Sequence, residues 1–235
     1  MEGIRSLIVF LMLLLAAGFA VGGEYITLQK IQGDVSVRPG VAETWIKAKA
    51  GDLLKADATV RTGSESSALI VLSSTNKRIS LPPDVMVDIS DIRDLTQEEL
   101  MLKLTMEKVR ASSYEWKNKE MNMPNTTVVH GDLKDKKESL TENNTELGVL
   151  QLNGARVLYE NGFYSTSALK TMEILRQYPS LSSLYKNRLL VAEALEKANL
   201  KSEALNEYIT ISSLPDIQKD QREFVQSRIA RLKKQ

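Results

Sequence analysis

The fold is decided by the stretch Asp57-Ala-Thr-Val-Arg-Thr-Gly-Ser-Glu-Ser-Ser-Ala-Leu-Ile-Val-Leu72. Its middle, Gly63 to Ser67, is a cluster of turn-forming residues, and the runs on either side favour β-strands. Runs of the same kind surround it at Tyr25–Ile31, Asp34–Val37, Arg78–Leu81 and Val85–Ile89. Short strands separated by closely spaced turn signals predict an all-β unit, here over residues 24–94.

Several motifs follow one another in this unit in a fixed order. They are Gly33-Asp-Val-Ser-Val, Trp45-Ile-Lys-Ala, Gly51-Asp52-Leu-Leu, Arg61-Thr62-Gly63 before an apolar strand, and Ile79-Ser-Leu-Pro82. In this order they resemble the FecR domain over about residues 28–92. The resemblance implies a sandwich, a roll or a short β-helix. The chain departs from the family at Ser73–Lys77, where members often carry Asp-Gly-Ser.

Each motif residue has a structural role to test. Gly33, Gly51 and Gly63 stand where the chain must reverse, and glycine reaches positive φ at little cost. We expect Trp45 to fill the β core; the alternative is a surface tryptophan that binds sugar. Arg61 and Thr62 are expected to make turn contacts rather than a site.

The spacing of apolar residues over 95–120 predicts one amphipathic helix. Thr96 and Glu99 form a capping-box pattern at its start. Apolar residues then recur at helical spacing, at Leu95, Leu102, Met106, Val109 and Trp116. We expect this stripe to dock on the β unit; the alternative is a helix that binds a partner.

The region 121–146 is predicted to be a linker, because polar residues dominate it and apolar periodicity is lost. It contains His130, the only histidine of the chain. A metal site at a single histidine would need other ligands, so no metal ligand is expected.

Residues 147–235 predict a helical unit whose apolar runs are separated by Gly, Asn and Pro breaks. Gly162, Ser167 and Pro179 are placed as in a tetratricopeptide repeat, with small or aromatic residues at its packing positions: Ala155, Ala192, Ala204 and Tyr208. Residues 147–215 therefore resemble a degenerate tetratricopeptide array capped by a fifth helix. The resemblance implies close helix pairs whose first-helix faces, including Arg188, line a groove for a protein.

The N-terminus predicts export. A nearly continuous apolar run, Leu7–Val21, precedes small residues up to Gly23. This layout is typical of a signal peptide over residues 1–23; the alternative is an uncleaved membrane anchor. The chain has no cysteine, whereas secreted animal proteins usually carry disulfides. We therefore expect the periplasm or another part of a bacterial envelope.

Composition and motifs favour binding over catalysis. After residue 23 the chain has 30 Lys and Arg against 29 Asp and Glu, a balance that argues against nucleic acid. No motif for a nucleophile, cofactor or phosphate is visible. The sequence predicts an α+β, non-catalytic binding or scaffold protein with a protein partner in the envelope and no cofactor. Two alternatives are a cell-wall polymer as ligand and an indirect role in sigma-factor signalling.

Overall fold

The computed structural model describes residues 25–42, 44–120 and 134–234, with side chains outside 113–120 and 134–144. The predicted signal peptide of residues 1–23 and His130 lie outside the described residues. Within these ranges the chain forms eight strands followed by seven α-helices, so the predicted α+β class is confirmed. No helix in the described ranges is both long and apolar enough to cross a membrane.

The β unit consists of two four-stranded antiparallel sheets. The strands are β1 (Ile26–Gln32), β2 (Val35–Arg38), β3 (Ile46–Lys47), β4 (Leu53–Leu54), β5 (Thr59–Thr62), β6 (Ser67–Leu72), β7 (Arg78–Leu81) and β8 (Met86–Asp88). One sheet has the order β4-β1-β6-β7 and the other β3-β2-β5-β8. Because all strand pairs are antiparallel, a short parallel β-helix is not the form adopted.

The two sheets share one apolar core. Leu28 and Ile70 of the first sheet and Val35 and Val60 of the second are fully buried in it. In the run Ser67–Leu72 every second side chain points inward, as the alternation of a strand predicts. The β-rich runs recognised in the sequence therefore form a sandwich.

Within the described ranges, seven helices follow the sandwich. They are α1 (Gln97–Glu120), α2 (Lys134–Glu160), α3 (Tyr164–Gln177), α4 (Pro179–Ser182), α5 (Tyr185–Lys197), α6 (Lys201–Ser212) and α7 (Lys219–Leu232). Helix α2 begins inside the stretch predicted as linker, while the rest of that stretch, 121–133, lies outside the described residues. From α2 onward, neighbouring helices pack in sequence order, α2 on α3, α5 on α6 and α6 on α7.

The small residues identified in the helical unit are packed between helices. Ala155, Ala192 and Ala204 are fully buried, as is the ring of Tyr208. Gly162 ends α2 with φ +84°, a conformation that glycine adopts easily. The serine at 167 donates a buried hydrogen bond of 2.7 Å to the Ala155 carbonyl, which joins α3 to α2.

Helix α2 also closes one side of the sandwich, where β7 and β8 are the outer strands. Val157, Leu158 and Phe163 enter the β core beside the strands. Gly154 lies so close to strand β8 that a Cβ atom there would collide with the Met86 carbonyl oxygen. The helical unit thus completes the core of the β unit.

Helix α1 buries a different face from the predicted one. Leu100 and Leu104 are each 2 % exposed in the helical core, whereas Leu102, Met106 and Val109 are 63, 47 and 59 % exposed. Helix α1 lies against α3. The prediction that the stripe docks on the β unit is therefore wrong. The helix carries two apolar stripes. The stripe of Leu100 and Leu104 packs in the helical core against α3.

Candidate functional site

A cleft of about 270 Å³ lies between α1 and α3. Its apolar lining comes from Leu95, Met106 and Leu169, and its rim carries charges of both signs. We call it the α1–α3 cleft. Helix α1 supplies one wall because its Leu100–Leu104 face is held in the helical core.

One wall of the cleft is an ion cluster that joins the two units. The Lys170 ammonium group lies 2.6 Å from Asp88 Oδ2 and 3.1 Å from Asp91 Oδ2. Asp88 also accepts a hydrogen bond of 2.6 Å from Thr59. The Oδ2 atom of Asp91 is buried. It is paired with the Lys170 ammonium group but accepts no hydrogen bond from any described residue.

These contacts change the acidity of the cluster. Burial alone would raise the pKa of Asp88, but Lys170 and the Thr59 hydroxyl hold it below its usual value. Burial and the neighbouring Asp88 charge raise the pKa of Asp91 despite the attraction of Lys170. Burial would lower the pKa of Lys170, yet the two carboxylates raise it. The cluster therefore holds a charged lysine between two unequal carboxylates.

The opposite wall is fixed by a buried carboxylate. Glu107 is 6 % exposed and pairs with Arg176 of α3 at 2.5 Å between Oε1 and Nε. A buried carboxylate is stable only when it is paired, so this contact fixes the rotation of α1 about its axis. Leu100, Leu104 and Glu107 then face inward, and the other stripe faces water.

The outward stripe adjoins the cleft. Met106 lines the cleft and is also exposed beside Leu102 and Val109. We call Leu102, Met106 and Val109 the α1 stripe. Its periodicity is visible in the sequence, but because the same helix carries a second apolar stripe, the sequence does not show which of the two is exposed.

The FecR-like residues do not form one site. Gly33 and Gly51 have φ of +77° and +93°, while Gly63 is not in the positive-φ region. Asp52 caps its own turn by accepting a hydrogen bond of 2.7 Å from the Lys49 amide. The Thr62 hydroxyl donates to the Pro82 carbonyl at 2.7 Å, in the segment between β7 and β8.

Trp45 does not fill the β core, so that expectation is wrong. Its ring is half-buried outside the core, with the guanidinium groups of Arg38 and Arg61 at 5.1 and 5.7 Å from its centroid. The reason is register. Val37 faces Ile46 across the strands, so Trp45, one residue before Ile46, points to the outer face of the sheet.

The face of α5 that the tetratricopeptide resemblance assigns to a groove is engaged in contacts within the chain. The Glu196 carboxylate accepts a hydrogen bond from Tyr208 at 3.0 Å and pairs with Arg228 and Arg231. Arg188 is not a free surface residue, because it pairs with Glu207 at 2.8 Å and donates to the Ser182 carbonyl. These contacts hold α5, α6 and α7 together.

Comparison with models of protein families, with curated proteins and with solved structures found no match for this chain.

Proposed function

We propose that this chain is an exported, non-catalytic binding or scaffold protein of a bacterial envelope, with a FecR-like sandwich and tetratricopeptide-like helices. Its binding element is the α1 stripe together with the α1–α3 cleft. The observation that supports this proposal is that Leu102, Met106 and Val109 are exposed side by side along a cavity with an apolar lining. Exposed apolar residues that adjoin a cavity are typical of a protein contact.

The partner that fits is an amphipathic helix bearing carboxylates. Leu95, Leu102, Val109 and Trp116 recur every seven residues in the sequence, the spacing that suits a second helix. Lys108 and Arg110 are exposed beside the stripe. Arg110 has only a distant ion-pair partner, Glu107 at 3.8 Å, among the described residues. An acidic flank on the partner would complement these cations.

A photo-crosslinking experiment tests the proposal. A benzophenone amino acid placed at Leu102 should capture one envelope protein, whereas the same group at Ile209, an exposed apolar position on α6, should not. In parallel, with the benzophenone group kept at position 102, Val109→Glu should abolish capture while Ile209→Glu retains it, because only the first places a charge in the contact.

Three results would contradict the proposal. Equal capture from positions 102 and 209 would show that the contact is not specific. Crosslinking of the chain to itself from position 102, lost in Val109→Glu, would assign the stripe to a second copy. Retention on purified peptidoglycan that Leu102→Glu leaves unchanged, without a captured protein, would assign binding to a cell-wall polymer.

A further inference from the structure

The β3-β2-β5-β8 sheet has an outer face that the helices cover only at one end. One row of side chains crosses this face in strand order: Lys47, Ser36, Arg61 and Met86. Met86 is only 6 % exposed, because α2 packs against β8. Lys47 and Arg61 are exposed. The outer face is therefore open from β3 to β5 and closed at β8.

A second row on the same face is formed by Arg38, Thr59 and Asp88 on β2, β5 and β8. Trp45 extends this row beside Arg38, because β3 pairs with β2 in the antiparallel direction. The centroid of its ring lies 5.1 Å from Arg38 Cζ and 5.7 Å from Arg61 Cζ. The indole thus links the two rows. We call Trp45, Arg38, Arg61 and Lys47 the tryptophan face.

Arg38 is held from within the sheet. Its Nη2 donates to the Thr59 hydroxyl at 3.4 Å, and that hydroxyl donates to Asp88 at 2.6 Å. The Arg38 Nε is buried and has no hydrogen-bond partner in the part of the chain described. Because a buried donor without a partner lowers stability, the packing of Arg38 against the indole is not explained by stability alone.

Arg61 and Lys47 are available to a ligand. Neither takes part in an ion pair within the described ranges. Their neighbours in the row across the sheet are Ser36 and Met86, which carry no charge. The tryptophan face therefore presents two exposed positive charges beside a half-buried indole.

We propose that the tryptophan face binds a polysaccharide that carries carboxylate groups. A sugar ring presents C–H groups on its flat face, and these stack on the electron-rich face of an indole. Arg61 and Lys47 would donate hydrogen bonds to the carboxylates, the arginine in a bidentate geometry. Their backbones stand two strands apart, about 10 Å. This spread suits a ligand with repeated acidic groups better than one small anion.

The composition of the face distinguishes this ligand from other anionic partners. Trp45 is the only apolar side chain on the part of the face that the described residues of β2, β3 and β5 form. A protein contact has a larger apolar centre, and a bilayer contact needs further apolar side chains that enter the acyl boundary. A sugar needs a single ring. The proposal uses no residue of the α1 stripe and is independent of the function proposed for it.

Three oligomers of six units test the proposal on the full chain. Hexagalacturonate has sugar rings and carboxylates, maltohexaose has only the rings, and hexaglutamate has only the carboxylates. The chain has two tryptophans, so the Trp116→Phe protein reports Trp45 alone by fluorescence. We expect hexagalacturonate to bind about tenfold more tightly than hexaglutamate, because ring stacking adds to charge pairing. Binding should weaken as salt rises.

Matched variants complete the experiment. Lys47→Gln with Arg61→Gln should weaken hexagalacturonate binding roughly tenfold, because each exposed ion pair contributes up to about fivefold. The control pair Lys30→Gln with Arg78→Gln removes exposed cations of the other sheet and should retain binding. Trp45→Leu, measured by calorimetry, should weaken binding, and Trp45→Phe should restore part of it. Circular dichroism checks that every variant is folded.

The proposal is overturned if hexagalacturonate does not bind, if maltohexaose binds equally well, or if the two cation pairs lose binding equally. Unchanged binding in Trp45→Leu would also overturn it, because the ring would then not stack on a sugar. Hexaglutamate that binds as tightly as hexagalacturonate would assign the face to an acidic protein segment instead.

Discussion

At the scale of single residues, Gly154 shows how one missing side chain allows two units to meet. An alanine in a helix is normally more stable than a glycine by about 1 kcal/mol. At position 154, however, the added Cβ atom would collide with the Met86 carbonyl oxygen, which is backbone and cannot rotate away.

We therefore expect Gly154→Ala to destabilise the protein by about 1–3 kcal/mol, the usual cost of overpacking. Urea unfolding measures the change. Gln226→Ala, at an exposed position of α7, is the control and should be nearly neutral. A Gly154→Ala protein as stable as the parent would show that α2 does not approach β8 this closely.

Lys170 is the second residue on which the junction depends, because it pairs with Asp88 and Asp91, which lie on the β side. The lowered pKa of Asp88 gives stability above its unfolded pKa that is lost as pH falls through the folded value. The raised pKa of Asp91 acts in the opposite direction and favours the folded state at low pH.

Replacing the lysine should expose this balance. Lys170→Met should cost about 1–3 kcal/mol at pH 7, less than a fully buried pair because the three side chains remain 20–33 % exposed. The cost should shrink as pH falls and both carboxylates take up protons. Unfolding curves at several pH values measure it, with Lys201→Met, an exposed lysine, as the control. A cost independent of pH would indicate lost packing rather than lost charge pairing.

At the scale of elements, the orientation of α1 separates a buried face from an exposed one. Leu104 is buried and Leu102 is exposed on the same helix. Leu104→Ala should therefore cost about 2–5 kcal/mol, whereas Leu102→Ala should change stability by less than about 0.5 kcal/mol. Denaturant unfolding of both variants measures this. The reverse order would mean that the predicted stripe, and not its neighbour, is docked.

Periodicity could identify α1 as amphipathic but could not select its buried face. Leu100, Leu104 and Glu107 also follow helical spacing, with a glutamate at the third position. A glutamate in this stripe makes burial of the stripe look unfavourable. Burial is acceptable only because Arg176, 69 residues away, pairs with Glu107. The partner that makes the stripe acceptable is distant in the sequence.

At the scale of the whole molecule, the two units exchange core residues. Leu100 and Leu104 precede residues 121–133 but lie in the helical core, and Val157, Leu158 and Phe163 follow that stretch but lie in the β core. Each side of the stretch thus completes the core of the other. The two predicted units are packed as one body.

A protease cut between residues 121 and 133 should therefore leave the two fragments associated. We expect them to co-elute in size-exclusion chromatography without denaturant and to separate only in urea. Phe163→Ala should weaken the association, since it removes a buried ring from the β core. Fragments that separate at once in buffer would show that the shared cores contribute little.

The sequence by itself determined most of the strand and helix segments, where several turns fall, and which residues share a face. It did so because β alternation, helical spacing and the positive φ of glycines such as Gly33, Gly51 and Gly162 are local properties. Only the tertiary structure decided which apolar stripe of α1 is exposed, why Trp45 stands outside the core, and how Lys170 pairs with Asp88 from 82 residues away. Those outcomes depend on partners brought together by folding, and neither the spacing nor the composition of a segment contains them.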